Sequence, residues 1–180
     1  TPRHGERRAI TLLGATGFTG RLVAEALAAR WRDPSSRADP SSHANHREAE
    51  PPRWAIAGRR RKALERFASA LGSAYGQAPE IVVANVDDPE SLRRMAEETR
   101  VIATTAGPFE RFGEPVARAA VDAGCHYADI TGEPAYVARL DDALDERARA
   151  AGVRLVTCCG FDSVPHDLAA LLAVRHLDTR

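Results

Sequence analysis

The chain has 180 residues, with 25 Lys plus Arg balanced by 25 Asp plus Glu and a sequence pI near 7.0. That balance excludes the electrostatic footprint of a general nucleic-acid binder, and no apolar run reaches the ~20 residues of a membrane span. The length suits one well-buried domain, or one domain with an extra arm.

Residues 1–8 read as a polar tail with no apolar stretch of a secretory signal. The apolar run Ala9–Leu13 follows and predicts a short buried strand. Directly behind it stands Gly14-Ala15-Thr16-Gly17-Phe18-Thr19-Gly20, and Arg21–Trp31 then has the pattern of a helix. Strand, Gly-rich turn and helix in this order suit a dinucleotide pyrophosphate. Glycine lets the backbone turn tightly and approach the phosphates, while the N–H groups opening the helix face the negative charge. Gly14, Ala15, Thr16, Gly17, Phe18 and Thr19 are therefore candidate cofactor contacts. The spacing is G-x-x-G-x-x-G rather than G-x-G-x-x-G, a motif that a Gly-rich turn without a ligand shares.

Asp33–Arg53 holds Pro34, Pro40, Pro51 and Pro52 among serines and almost nothing apolar, and reads as a flexible loop inserted into the domain. His43 and His46 lie within it, but two histidines without cysteine are read as solvated surface, so no metal is expected. The second strand, Trp54–Ala57, runs into Gly58-Arg59-Arg60. Gly14 and Arg59 are 45 positions apart, and removing the 21 residues of Asp33–Arg53 leaves 24. A dinucleotide-binding domain places its ribose-reading residue about 20 positions after the Gly motif. No Asp or Glu lies between Trp54 and Leu64 to hold both ribose hydroxyls, whereas Arg59 and Arg60 suit a 2′-phosphate. The favoured cofactor is NADP(H).

Arg61–Leu71 repeats apolar residues at Leu64, Phe67, Ala68 and Leu71, one face of a helix. Strand Ile81–Ala84 leads to Asp87, a candidate contact for the adenine, and to Asp88, which with Pro89 opens a helix over Pro89–Thr99. Strand Val101–Thr105 ends on Ala106-Gly107-Pro108, small residues that let the chain lie against ribose and nicotinamide. A helix is expected over Glu114–Ala123, then strand His126–Ile130, helix Pro134–Ala151 and strand Arg154–Cys158. Candidate proton donors stand after the last two strands or in them: Tyr127, Asp129, Thr131, Glu133, Asp162, Ser163 and His166. Tyr127 and Asp129 share a strand face with Cys125 and serve equally as structure. Glu133 before Pro134 suits the cap of the next helix, and Asp162-Ser163 a cap ahead of Pro165. No catalytic residue is assigned. Cys125, Cys158 and Cys159 form no C-x-x-C pair and read as small buried side chains in a reducing, cytoplasmic setting.

The alternation predicts an α/β fold, a doubly wound and mostly parallel Rossmann sheet over 9–165 interrupted by 33–53, with 166–180 beginning a further helix. The blocks Gly14–Gly20, Ala57–Arg59, Thr105–Gly113, Val121–Glu133 and Gly160–Leu168 together resemble the saccharopine dehydrogenase-like oxidoreductases, including the trans-acting enoyl reductases. The resemblance implies the NADP-binding part of a soluble, often dimeric enzyme with a small-molecule substrate. It implies that the loop carrying Asp162 and Ser163 approaches the nicotinamide. Family members continue past GFDSVP into an α+β substrate domain, which is expected to be missing here. The reaction expected is hydride transfer to or from a C=C, C=N or C=O bond of a lipid-like or amino-acid-derived substrate. A non-catalytic NADP sensor controlling a partner protein is the alternative.

Overall fold

Strands buried on both faces and separated by amphipathic helices satisfy their backbones best as a parallel sheet with a helical layer on each side. The computed structural model, which describes residues 7–32 and 52–178, has this arrangement. In chain order the elements are β1 (Arg8–Leu13), α1 (Phe18–Arg32), β2 (Trp54–Gly58), α2 (Arg61–Tyr75), β3 (Glu80–Val83) and α3 (Pro89–Glu97). They continue with β4 (Thr99–Thr104), α4 (Phe109–Asp122), β5 (His126–Asp129), α5 (Pro134–Ala151), β6 (Leu155–Val156) and α6 (Val164–Asp178). The sheet order is β3-β2-β1-β4-β5-β6, and every pairing is parallel. Winding runs outward from β1 in one direction and restarts at β4 in the other. A crevice therefore opens at the carboxyl edge between β1 and β4, where such sheets hold ligands.

Alternation along the strands divides the core in two. Leu12 and Ile56 point toward α1 and α2, where Ala24, Ala28, Leu64, Phe67 and Leu71 complete one cluster. Leu13, Ala57 and Ile102 face the opposite layer, packed by Met95, Val116, Tyr136 and Leu144 of α3, α4 and α5. Helix ends follow local chemistry. Gly76 and Gly152 close α2 and α5 in the left-handed conformation, with φ of 85° and 67°. Asp88 opens α3 by accepting hydrogen bonds from the N–H groups of Glu90 and Ser91 at 3.1 and 3.2 Å.

Several boundaries differ from expectation. α1 begins at Phe18, inside the glycine motif rather than after it. α4 begins at Phe109, five residues before Glu114, and carries Pro115 in its second turn. The last strand shrinks to Leu155–Val156. Of the cysteines, Cys125 is buried as expected, its thiol pushed up to about 12 chiefly by burial. Cys158 is only half-buried and Cys159 is exposed, because both lie in the loop beyond the shortened strand. His43, His46 and most of the inserted segment lie outside the described residues. Among the described residues no helix is long and apolar enough to cross a membrane.

Candidate cofactor site

The crevice between β1 and β4 holds a cavity of about 320 Å³. Its floor is the glycine turn. Gly14 has φ of 86°, and its N–H donates to the carbonyl of Ala57 on β2 at 3.0 Å. A side chain there would put its Cβ 2.9 Å from the Ala106 nitrogen, across the crevice. At Gly20 a Cβ would collide with the Gly14 carbonyl and lie 2.8 Å from the Ala15 Cα. Glycine at these two positions lets α1 begin directly on the turn. No acidic residue stands in the first turn of α1, and among the described residues no side-chain carboxylate accepts from its opening N–H groups.

Of the expected contacts, Gly14, Thr16, Gly17, Arg59, Arg60, Ala106 and Gly107 come together around this cavity. Ala15 is fully buried beneath the turn, and its N–H already points to the Ala57 carbonyl at 3.4 Å. Phe18 is 85% exposed, and Thr19 is also exposed on the first turn of α1. Pro108 is the N-cap of α4, behind the lining. Asp87 is exposed beyond Val86 and does not line the cavity; Ala84 and Val86 do. Leu13, Gly58, Thr105 and Phe112 complete the wall. Phe112 was hidden from sequence reading by the late helix start, although a helix from Phe109 turns it to the same edge.

Arg59, Arg60, Arg61 and Lys62 crowd the start of α2, where the helix dipole is already positive. Arg60 is the N-cap without a side-chain cap bond, and the first turn holds no acid. Arg61 reaches Glu65 at 4.0 Å, but among the described residues neither Arg59 nor Arg60 has an ion pair. Cations at a positive helix end repel it until an anion arrives. The donor set fits a nucleotide phosphate, and so does the glycine cradle that any Cβ would fill.

The candidate proton donors of β5 are already engaged. The Tyr127 hydroxyl donates to Asp129 Oδ2 at 2.9 Å and lies 3.0 Å from the Tyr136 hydroxyl. Burial, reinforced by Asp129, pushes the Tyr127 phenol far above its usual range. Asp129, 1% exposed, accepts from the N–H groups of Thr131 at 3.0 Å and Cys158 at 3.2 Å. Thr131 is fully buried, and its Oγ1 accepts from the Glu133 N–H at 3.1 Å. Glu133 sits at the N-cap position of α5 but does not cap it. Its carboxylate instead accepts from Phe109 and Glu110, the first two N–H groups of α4, at 2.9 and 2.7 Å. Asp162 is exposed and makes no cap to α6; its carboxylate leans over Gly132 and Gly160. Ser163 donates its backbone N–H to Gly160, and His166 is exposed on α6.

A model of the saccharopine dehydrogenase NADP-binding domain matches residues 40–156. The chain belongs to that family. This NADP-binding domain is 38% identical over 159 residues to a trans-acting enoyl reductase of Mycobacterium ulcerans, covering 88% of the chain and 34% of the relative. An Arabidopsis thaliana protein named "Probable mitochondrial saccharopine dehydrogenase-like oxidoreductase" is 35% identical over 164 residues, covering 90% and 34%. The chain thus spans about a third of the length of the curated relatives it matches. Among solved structures, apo saccharopine dehydrogenase (L-Glu forming) of Saccharomyces cerevisiae superposes with a TM-score of 0.69 at 16% identity, over 96% of this chain and 32% of that one. Triphenylmethane reductase of Citrobacter sp. in complex with NADP(H) gives 0.50 at 23% identity, over 83% and 48%. These two likenesses bear on the fold, which is the NADP-binding Rossmann fold.

Proposed function

We propose that the domain holds NADP(H) across the β1–β4 crevice and serves an oxidoreductase of the saccharopine dehydrogenase-like or enoyl reductase type. Gly14, Thr16 and Gly17, with the α1 N–H groups beneath Phe18 and Thr19, take the pyrophosphate. Arg59 and Arg60 take the 2′-phosphate, Asp87 stands at the adenine end, and Ala106, Gly107 and Pro108 back the ribose and nicotinamide. The uncompensated cations at the start of α2 carry this reading. When bound, NADPH supplies a hydride. The chain's own residues fix where that can happen: the glycine turn sets the depth of the pyrophosphate, and the small residues after β4 leave one side of the crevice open.

The acceptor is read as a C=C, C=N or C=O group in a lipid-like or amino-acid-derived small molecule. The names of the relatives support that breadth. Residues 166–180 are read as leading toward a substrate domain. Support comes from α6, whose Leu168, Leu171, Leu172 and Leu177 are all exposed, and from the open groove between α5 and β6 beside it. A second copy of the chain is the other candidate cover for this face. Three free cysteines suit a reducing, cytoplasmic compartment.

The test is a pair of calorimetric titrations with NADPH and NADH at one salt concentration, repeated on Arg59→Ala. The wild-type chain should prefer NADPH. The substitution should weaken NADPH by about 1.5–3 kcal/mol, the range for hydrogen bonds to charged groups, and leave NADH unchanged. Equal losses for both nucleotides would remove Arg59 from the 2′-phosphate.

A further inference from the structure

α4 begins at the same edge of the sheet as α1, yet its N-cap is Pro108, which has neither a side-chain acceptor nor an N–H of its own. Its first two N–H groups are taken by both oxygens of Glu133, which stands 24 residues beyond Phe109. Of the three residues that lead into this end, Ala106 and Gly107 line the cavity and Pro108 is the N-cap; together they form a strap beside the cavity. The strap lies after β4, and Arg59 lies after β2, with β1 between them. A dinucleotide spanning the switch point puts its adenosine half over β1–β3 and its nicotinamide half over β4 and β5.

We propose that Glu133 is a positioning residue for the nicotinamide half of the cofactor, because it fastens the Ala106–Pro108 strap to the buried end of β5. The inference rests on the NADP(H) reading above. Glu133 is itself held: its N–H is bound by Thr131, the Thr131 N–H by Asp129, and Asp129 by Tyr127. Asp129 also accepts from Cys158 beyond β6, so one chain of bonds joins the loops after β4, β5 and β6. A carboxylate is the group this place requires. It accepts two converging N–H groups at once, and it neutralises the positive end of α4. With that end filled, a pyrophosphate is directed to the open end of α1. Phe109 and Tyr136 have ring centroids 6.1 Å apart, and a Cβ at Gly107 would stand 3.5 Å from the Phe109 ring, so the strap lies against packed aromatic side chains.

The experiment separates the two halves of the cofactor. The wild-type chain and Glu133→Ala are titrated by calorimetry with NADPH and with adenosine 2′,5′-bisphosphate, which carries the 2′-phosphate but no nicotinamide. Loss of the two charge-assisted bonds should weaken NADPH about tenfold. The bisphosphate, bound away from Glu133, should stay within about twofold. A change confined to folding would move both ligands together or neither. Parallel losses, or no loss for NADPH, would overturn the inference while the cofactor reading stands. Wild-type chain that binds neither ligand would overturn the cofactor reading and this inference with it. Should Glu133→Ala fail to fold, Glu133→Gln keeps the shape and one acceptor oxygen. It should show the same NADPH-only loss at smaller size, about threefold, and equal affinities in that variant would be decisive against the role.

Discussion

Two helices begin at the carboxyl edge of the sheet within reach of one crevice, and they are finished in opposite ways. α1 starts on a bare glycine turn, with Gly17 before its first residue and no acid in its first turn. α4 starts on a proline, and a carboxylate from a different loop covers its first two N–H groups. An exposed positive helix end is stabilised by negative charge, so a chain that supplies the charge at one end and withholds it at the other has divided their tasks. The end of α4 is closed by the chain itself; the end of α1 is left open on the crevice. α2 sides with α1 and goes further, since it adds cations where the dipole already repels them.

α1 is most sensitive to substitution at Gly20. Its Cβ would meet the Gly14 carbonyl and the Ala15 Cα, backbone atoms that cannot swing aside. Gly20→Ala should lower stability by about 2–3 kcal/mol, the upper range for overpacking, and abolish NADPH binding because α1 is lifted off its turn. Urea unfolding and calorimetry read the two effects. A variant of normal stability that binds normally would show that α1 is not seated on the turn as described.

Thr19→Glu asks a finer question by giving α1 the acid it lacks. Thr19 is exposed in the first turn, so the new carboxylate meets the dipole without a clash. The free chain should gain about 0.3–1 kcal/mol and show a slightly higher Tm. NADPH should weaken by about 2 kcal/mol, the repulsion of unit charges 8 Å apart at an effective dielectric of 20. Stability and binding would then move in opposite directions, which misfolding cannot produce. Unchanged NADPH affinity would take the pyrophosphate away from α1.

The difference between these two helix ends was only half legible in the sequence, for a physical reason. β1, the glycine turn and α1 are contiguous, so local spacing exposed them. The bounds of α5 were readable for the same reason, with Pro134 at its first turn and Gly152 turning left-handed at its end. The true start of α4 was not. Pro108 and Gly113 look like loop, and what starts the helix between them lies elsewhere: Glu133 supplies the cap, and Tyr136 packs where any Cβ at Gly113 would stand. The same non-local bonds explain why Tyr127, Asp129, Thr131 and Glu133 resembled a row of proton donors. Alternation showed that Tyr127 and Asp129 share a face but not that the face is sealed, nor that each residue is bound to the next. The place of Arg59 and Arg60 beside the crevice was readable because the register could be counted once the proline-rich segment was set aside. Phe112 was not, since its place depends on where α4 begins.

α3 provides the control, because its end is closed by its own neighbour. Asp88 accepts from the N–H groups of Glu90 and Ser91, and Ser91 Oγ donates in turn to the Asp88 carbonyl at 2.8 Å. Asp88 is exposed, and the cap is local and away from the cavity lining. Asp88→Ala should cost about 1 kcal/mol, the usual loss on removing an N-cap side chain, and Asp88→Asn, which keeps an acceptor oxygen, almost nothing. NADPH affinity should stay within about twofold in both, as for sites without shared partners. Thermal unfolding and the same titration decide it. A loss of NADPH binding that follows the loss of the cap would mean that the end of α3 also faces the cofactor. The division would then fail, since a helix end closed by the chain itself would be meeting the cofactor directly.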